Sequence, residues 1–151
     1  MSLRIKIAFC LYAFLSLCNI ASGLLYISSP QIMPYHLQVI NRSWADLDSR
    51  LQMMFLALLK TSGIGALGAG LSMGILVLIP FRRGQKWAYR AIPIISFICG
   101  APVAYIAYSL HRSTGASTPW QAVVIMLVII LVAYLLTIKQ AGKADQLREE
   151  K

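Results

Sequence analysis

The sequence predicts an all-α fold: a polytopic membrane protein built as an antiparallel bundle of four transmembrane helices. Of its 151 residues, 58% are hydrophobic and only 13% are charged, and the mean hydropathy is +0.69. A soluble domain usually carries about a quarter charged residues. Little of the chain remains for a soluble part, so we assign residues 1–151 to a single integral membrane domain.

Four apolar stretches are long enough to cross a bilayer. A spanning helix needs about 20 residues, because the hydrocarbon core is about 30 Å thick and each residue rises about 1.5 Å. The predicted spans 1 to 4 are residues 7–27, 51–79, 93–110 and 119–138, followed by a short polar tail at 139–151.

Span 1 is preceded by Arg4 and Lys6 and continues without interruption to Ile27. Its apolar run is longer than the 7–15 residues typical of a secretory signal peptide, so we interpret it as a retained helix. In the loop that follows, the segment Met33–Ile40 is too apolar to be freely solvated. It is predicted to lie at the outer membrane interface.

Span 2 is bounded by a capping signal and a proline. Ser43 is followed three residues later by Asp46, a loose form of the capping box. The helix is therefore expected to begin near Trp44, and Pro80 marks the point at which it leaves the membrane. The connection that follows, residues 81–90, is short, which favours spans 2 and 3 as packed neighbours.

Spans 3 and 4 are also marked by prolines. Pro102 lies within the apolar run of span 3 and predicts a kink. At the start of span 4, Thr118 fits the helix-capping position and Pro119 the first helical position. Gln121 fits the third helical position of a capping box.

Basic residues are concentrated at one end of the predicted spans and give the orientation. Cytoplasmic loops carry the excess of Lys and Arg, so both termini are predicted to lie in the cytoplasm. Because the net charge of +9 sits at helix ends, it argues against nucleic acid as a partner. The ten residues on the cytoplasmic side are Arg4, Lys6, Arg82, Arg83, Lys86, Arg90, Lys139, Lys143, Arg148 and Lys151, and the three on the outer side are Arg42, Arg50 and Arg112.

Small residues at a four-residue spacing predict close helix packing. Small side chains let two helix backbones approach each other in lipid. We expect spans 2 and 3 to pack on each other within one chain, and a homodimer contact is the alternative left open. The residues are Ser62, Ala66, Gly70 and Gly74 in span 2, with Gly65 and Ala69 beside them, and Ser96, Gly100 and Ala104 in span 3.

A polar site on the outer face is a second candidate feature. Lys60 is the only charged residue within a predicted span, and His36, His111, Arg112 and Asp46 all fall on the outer side. Charges inside a membrane are functional candidates. The alternative is that Lys60 lies at the outer boundary and extends its ammonium into the interface. No His or Cys spacing typical of a metal site is present, and we predict no catalytic residue, metal or cofactor.

The basic residues of the span 2–3 connection fit a contact with anionic lipid headgroups on the cytoplasmic side, and they serve equally well to set the topology alone, which is the interpretation we favour. Asp and Glu are absent from all four spans, which argues against proton-coupled export. The outer loops contain no cysteine, which argues against a disulfide-forming enzyme. The predicted lipid-contact residues are Arg82, Arg83, Lys86 and Arg90, beside Trp87.

Two stretches of the chain carry a resemblance to known proteins. They are residues 29–36 (Ser-Pro-Gln-Ile-Met-Pro-Tyr-His) and, after Trp44 and the Gly-rich span 2, residues 80–84 (Pro-Phe-Arg-Arg-Gly). In these stretches the chain resembles a group of small uncharacterised bacterial membrane proteins, which is broadly similar to DoxX-like four-helix proteins. The resemblance implies a four-helix fold in the bacterial inner membrane. It implies no activity and no functional residues.

We expect a non-enzymatic membrane protein, an accessory or partner-binding component whose partners are the lipid bilayer and either a second copy or another membrane protein. The alternative is a small transporter or lipid-handling protein with a site that opens outward between Lys60, His36 and His111. An enzyme acting on a lipid or quinone would need His36 within hydrogen-bond reach of Asp46, Asp48 or His111.

Overall fold

The computed structural model describes residues 2–149, with side chains described for residues 2–138. This part of the chain is all-helical, with five helices and no strand. The third helix continues as a π-helical segment, Val77–Phe81. The five helices are α1 (Leu3–Ser28), α2 (Pro34–Ile40), α3 (Ser49–Leu76), α4 (Lys86–Thr114) and α5 (Trp120–Glu149).

Four of these helices are long and apolar enough to cross a membrane, which confirms the four predicted apolar helices. α3 with its π-helical segment is the longest of them, at 33 residues. Large apolar side chains such as Leu17, Ile98 and Leu135 are exposed on the helix surfaces. Such a surface suits contact with lipid, because exposing this much apolar surface to water would be unfavourable.

Glycines bring α1 and α3 into backbone contact. A Cβ on Gly23 would lie 2.6 Å from the backbone nitrogen of Leu67, and a Cβ on Gly70 would lie 2.8 Å from the backbone nitrogen of Ile20. Ser16 Oγ donates a 2.7 Å hydrogen bond to the carbonyl oxygen of Gly70. Residue numbers rise along α3 as they fall along α1, so the two helices of this pair run in opposite directions.

The prediction that spans 2 and 3 pack closely on each other is wrong. α3 packs mainly on α1 and α4 mainly on α5, while α3 and α4 contact each other only slightly. The short connection makes α3 and α4 consecutive in sequence, but Gly63 and Gly70 of α3 lie against the backbone of α1. Small residues therefore mediate two separate helix pairs.

The predicted packing residues belong to these two helix pairs. Gly70 and Gly74 of α3 lie against Ser16 of α1, whereas Gly100 of α4 lies against Leu127 of α5, 2.9 Å from where its Cβ would be. Of the others, Ala104 is buried, Ala66 and Ser96 are half-buried and Ser62 is exposed.

The largest group of buried side chains lies where α1, α4, α5 and the π-helical segment meet. Phe81 is fully buried, and its ring centre is 5.6 Å from that of Tyr12 and 4.7 Å from that of Tyr89. The helix continues through Pro80, where the sequence predicted its end. The wider π-turn accommodates the proline, as shown by the hydrogen bond from the Arg82 amide to the Val77 carbonyl.

α3 begins later than the sequence predicted. The Ser43 hydroxyl donates to the Asp46 carboxylate instead of capping a helix. Asp48 is the residue that caps α3, since its side chain accepts a 2.8 Å hydrogen bond from the backbone nitrogen of Arg50. The predicted start near Trp44 is therefore wrong.

The basic residues predicted at the carboxyl terminus fall largely outside the described part. The backbone of α5 is described up to Glu149, but side chains only up to Ile138. The side chains of Lys139, Lys143 and Arg148, and all of Lys151, are outside the described residues.

Candidate functional site

α2 is a short helix that contacts both the end of α1 and the loop between α4 and α5. Pro34 occupies its first turn, where a missing N–H costs little. Asn41 ends it in the left-handed conformation, with φ of 50°. The Gln38 side-chain oxygen accepts a 2.8 Å hydrogen bond from the backbone nitrogen of Ser117, and α2 packs on α4. We call this end of the molecule, with the start of α3, the α2 end.

Two tyrosines and His36 form a polar group at the α2 end. The hydroxyls of Tyr26 and Tyr35 are hydrogen-bonded at 2.6 Å, and the Tyr35 ring lies 4.2 Å from the His36 ring, centre to centre. Burial, followed by the hydrogen bond to Tyr26, raises the pKa of Tyr35. Tyr35 therefore stays protonated, and this group ties α2 to α1 without a formal charge.

His36 is the least satisfied member of this group. Its Nδ1 atom is buried and has no hydrogen-bond partner among the described residues. Burial lowers the pKa of His36, because desolvation penalises the charged imidazolium. The carboxylates of Asp46 and Asp48 accept hydrogen bonds from Ser43 and from the Arg50 amide. Nδ1 of His36 therefore forms no hydrogen bond with the carboxylates that an enzymatic role would require.

His111 stabilises the α4–α5 connection. Its Nδ1 atom is 2.7 Å from the carbonyl oxygen of Ala116, which can only accept, so Nδ1 carries the proton. The ring also lies beside Trp120, at 6.0 Å, and Trp120 in turn packs edge-on against Tyr108 at 5.3 Å. Thr118 adds a hydrogen bond from its hydroxyl to the Ala107 carbonyl at 2.7 Å. His111 thus has a structural role in closing this turn.

The other three residues of the predicted polar site, Lys60, Arg112 and Asp46, are exposed. α2, which carries His36, packs on α4 and not on α3, which carries Lys60. Among the residues that the structure describes, no group of three or more His, Cys, Asp or Glu could hold a metal ion.

Lys60 lies level with the last turn of α1. Gly63 packs against Tyr26 and Ile27 near the end of α1, and Lys60 is one turn earlier in α3. Its exposed side chain therefore sits where the apolar part of α1 ends. This position agrees with a lysine that extends its ammonium into the interface.

The predicted lipid-contact residues lie at the opposite end, which we call the basic end. Arg82, Arg83 and Arg90 are exposed there, and Lys86 is half-buried. Trp87 beside them is 54% exposed.

The face of α3 opposite α1 carries a seven-residue repeat of exposed positions. A Cβ on Gly65 or Gly68 would meet no atom within 4 Å, whereas Gly63 and Gly70 lie against the backbone of α1. Spacings of four and three residues alternate along this face without a break. The exposed positions, which we call the α3 seam, are Met54, Leu58, Thr61, Gly65, Gly68, Ser72 and Ile75.

The spacing of the α3 seam is typical of helix–helix contact. A 3.5-residue average period keeps one stripe facing a partner helix in a left-handed crossing. Gly65 was predicted to lie only beside the packing stripe, and this second face was not predicted. The alternating spacing was visible in the sequence, but only the structure shows that the other face is already occupied by α1.

No protein-family model, curated protein or solved structure matches this chain.

Proposed function

We propose that this protein is a non-enzymatic component of the bacterial inner membrane that associates with a second copy of itself through the α3 seam. Its four long helices would form an antiparallel bundle with both termini in the cytoplasm, because the basic residues are concentrated at that end. The observation that carries the proposal is the open space beside Gly65 and Gly68.

Glycine on an exposed helix face lowers the stability of the helix, and close packing of another helix against it can offset this cost. In a helix interior it is about 1 kcal/mol less favourable than alanine. On the α1 side of α3 this cost is offset, since Gly63 and Gly70 allow backbone contact. Gly65 and Gly68 gain no such contact from the residues that the structure describes, and a partner helix at the α3 seam would supply it.

A second copy fits the seam because all copies enter the membrane in the same orientation. A two-fold axis along the membrane normal then pairs α3 with α3 in parallel and places identical residues opposite each other. The small central residues permit close approach, and the hydroxyls of Thr61 and Ser72 can form hydrogen bonds across the contact. Larger residues at the ends, Met54 and Ile75, fill the space where the helices diverge.

Disulfide cross-linking in membranes tests this proposal. In a background with Cys10, Cys18 and Cys99 replaced by Ala, T61C and S72C are expected to form covalent dimers on mild oxidation. The matched controls are I64C and L71C, which are exposed on α3 but lie off the seam.

Equal cross-linking on and off the seam, or none at any position, would contradict the proposal. As a second measurement, Gly65→Ile is expected to abolish the dimer seen in native gels. Ala101→Ile, which introduces the same side chain at an exposed position on α4, is expected to leave it intact.

A further inference from the structure

The basic end brings exposed cations from separate parts of the chain around one apolar core. Arg4 and Lys6 are exposed on the first turns of α1, and Ile5 between them is buried in the same cluster as Phe81 and Tyr89. The start of α1 and the α3–α4 turn are therefore adjacent. Both sets of cations therefore lie at the same end of the molecule.

The α3–α4 turn holds its two arginines on a fixed backbone. Gly84 adopts a φ of 75°, and its amide donates a 3.0 Å hydrogen bond to the carbonyl of Phe81. The amide of Gln85 donates to the carbonyl of Pro80, also at 3.0 Å. Arg82 and Arg83 thus project from an ordered turn, and the conformational entropy lost on binding an anion is confined to their side chains.

The start of α4 adds a second positive element. Gln85 makes no capping hydrogen bond from its side chain within the described structure, and the first turn of α4 contains no acidic residue. The Gln85 side-chain oxygen instead accepts a 2.8 Å hydrogen bond from Trp87 Nε1. Helix amino termini carry partial positive charge, and here that charge lies next to the arginines.

No carboxylate balances this patch within residues 2–138. The only acidic residues in that range are Asp46 and Asp48, both at the α2 end. Trp87 is exposed at the border of the apolar surface, where an indole ring prefers the headgroup region of a bilayer. A patch that combines cations with an interfacial tryptophan is complementary to a leaflet rich in negatively charged headgroups.

We infer that the basic end binds the phosphate groups of anionic phospholipids, with Arg82, Arg83 and Arg90 as the contacts and Trp87 as the interfacial anchor. The inference rests on the membrane insertion that the proposed function assumes. It adds a preference among lipids, which a role in topology alone would not require.

Tryptophan quenching by brominated lipids tests the inference on the full-length chain. In a Trp44→Phe, Trp120→Phe background, Trp87 is the only tryptophan. After reconstitution at low salt, phosphatidylglycerol with brominated chains is expected to quench Trp87 more strongly than brominated phosphatidylcholine at the same mole fraction. Each cation near an anionic surface contributes about a fivefold preference.

Removing the turn arginines should remove that preference. R82Q/R83Q is expected to quench almost equally with the two lipids. R42Q/R50Q, which removes two arginines from the α2 end, is expected to behave like the parent protein. Equal quenching in the parent, or an unchanged preference in R82Q/R83Q, would overturn the inference.

Two further outcomes would distinguish a wrong lipid assignment from a wrong membrane assignment. Loss of the preference with millimolar inorganic phosphate, but not with chloride at the same ionic strength, would assign the patch to free phosphate and overturn the lipid assignment. An absence of quenching by either lipid would place the basic end away from a bilayer. That result would contradict the membrane bundle of the proposed function itself, and this inference with it.

Discussion

Gly63 and Gly65 are two residues apart on α3 but occupy opposite environments. A Cβ on Gly63 would lie 2.9 Å from the Gly23 carbonyl oxygen, while a Cβ on Gly65 would meet no atom within 4 Å. The same chemical change therefore has opposite expected effects at the two positions.

We expect Gly63→Ala to destabilise the protein by about 1–3 kcal/mol, because α1 and α3 would have to separate. Gly65→Ala is expected to stabilise the isolated chain by up to about 1 kcal/mol through helix propensity. Both can be measured by detergent-induced unfolding at a dilution that favours the monomer. Similar effects of the two substitutions would show that the close contact between α1 and α3 is not as described.

His36 is expected to make the docking of α2 depend on pH. Its pKa is lowered in the folded state, so folded α2 resists protonation that the unfolded segment accepts near pH 6.5. The stability that His36 contributes is complete above about pH 6.5 and decreases as the pH falls below it. The hydrogen-exchange rates of the α2 amides, after correction for the pH dependence of intrinsic exchange, should therefore increase at low pH.

His36→Gln is the variant that isolates this effect, because it retains a polar side chain without a titratable group. In this variant, the corrected hydrogen-exchange rates of the α2 amides should not increase at low pH. A variant that keeps the full pH dependence would assign the effect to another group.

Single residues also show what could be predicted from sequence. Gly70 and Gly74 were predicted to lie in a packing face, because small residues at four-residue spacing let helix backbones approach closely in lipid. Their partner could not be predicted, since the spacing is equally compatible with α1, α4 or a second copy. Backbone contact with Ile20 and Ser16 decides that question, and it depends on the complementary shape of α1.

At the scale of elements, the four apolar helices were predictable because hydropathy and length suffice to identify them. The start of α3 and its π-helical end were not. Ser43, the predicted cap, and Asp48 are both plausible capping residues, and only the geometry of the turn selects Asp48. The π-helical segment depends on how Phe81 packs between Tyr12 and Tyr89, a tertiary contact without a local signal.

The π-helical segment is expected to be held mainly by Phe81. Phe81→Ala should destabilise the protein by about 3–5 kcal/mol, because it removes a fully buried aromatic ring. Phe14→Ala, at a position 55% exposed on α1, should have a much smaller effect in detergent. Detergent-induced unfolding followed by circular dichroism measures both. Equal losses would mean that the aromatic cluster does not anchor this segment.

At the scale of the whole molecule, the proposed orientation makes a direct prediction. In the cysteine-free background, R42C and R112C should react with a membrane-impermeant thiol reagent in intact cells. R83C should react only after the cells are permeabilised, because it would face the cytoplasm. The reverse pattern would invert the orientation, and labelling of all three in intact cells would contradict a spanning bundle.

The predicted polar site depends on more than the order of the spans. Lys60, His36 and His111 share one end of the molecule, as the alternation of spans requires, but a shared end does not by itself place their side chains in contact. α2 carries His36 towards α4, while Lys60 remains exposed on α3. The path of α2 over the α2 end depends on tertiary contacts such as Gln38 with Ser117.

The length of α3 has a consequence for the bilayer around the protein. Its 33 residues, including the π-helical segment, form a rod about 50 Å long, while the hydrocarbon core is about 30 Å thick. Because Lys60 lies where the apolar part of α1 ends, the part of α3 from Lys60 to Phe81, about 33 Å long, would match that core. The residues of α3 before Lys60 would then project beyond the hydrocarbon together with the α2 end. Since the buried cluster around Phe81 joins α1, α4 and α5, the four long helices are expected to adjust together to a change in bilayer thickness.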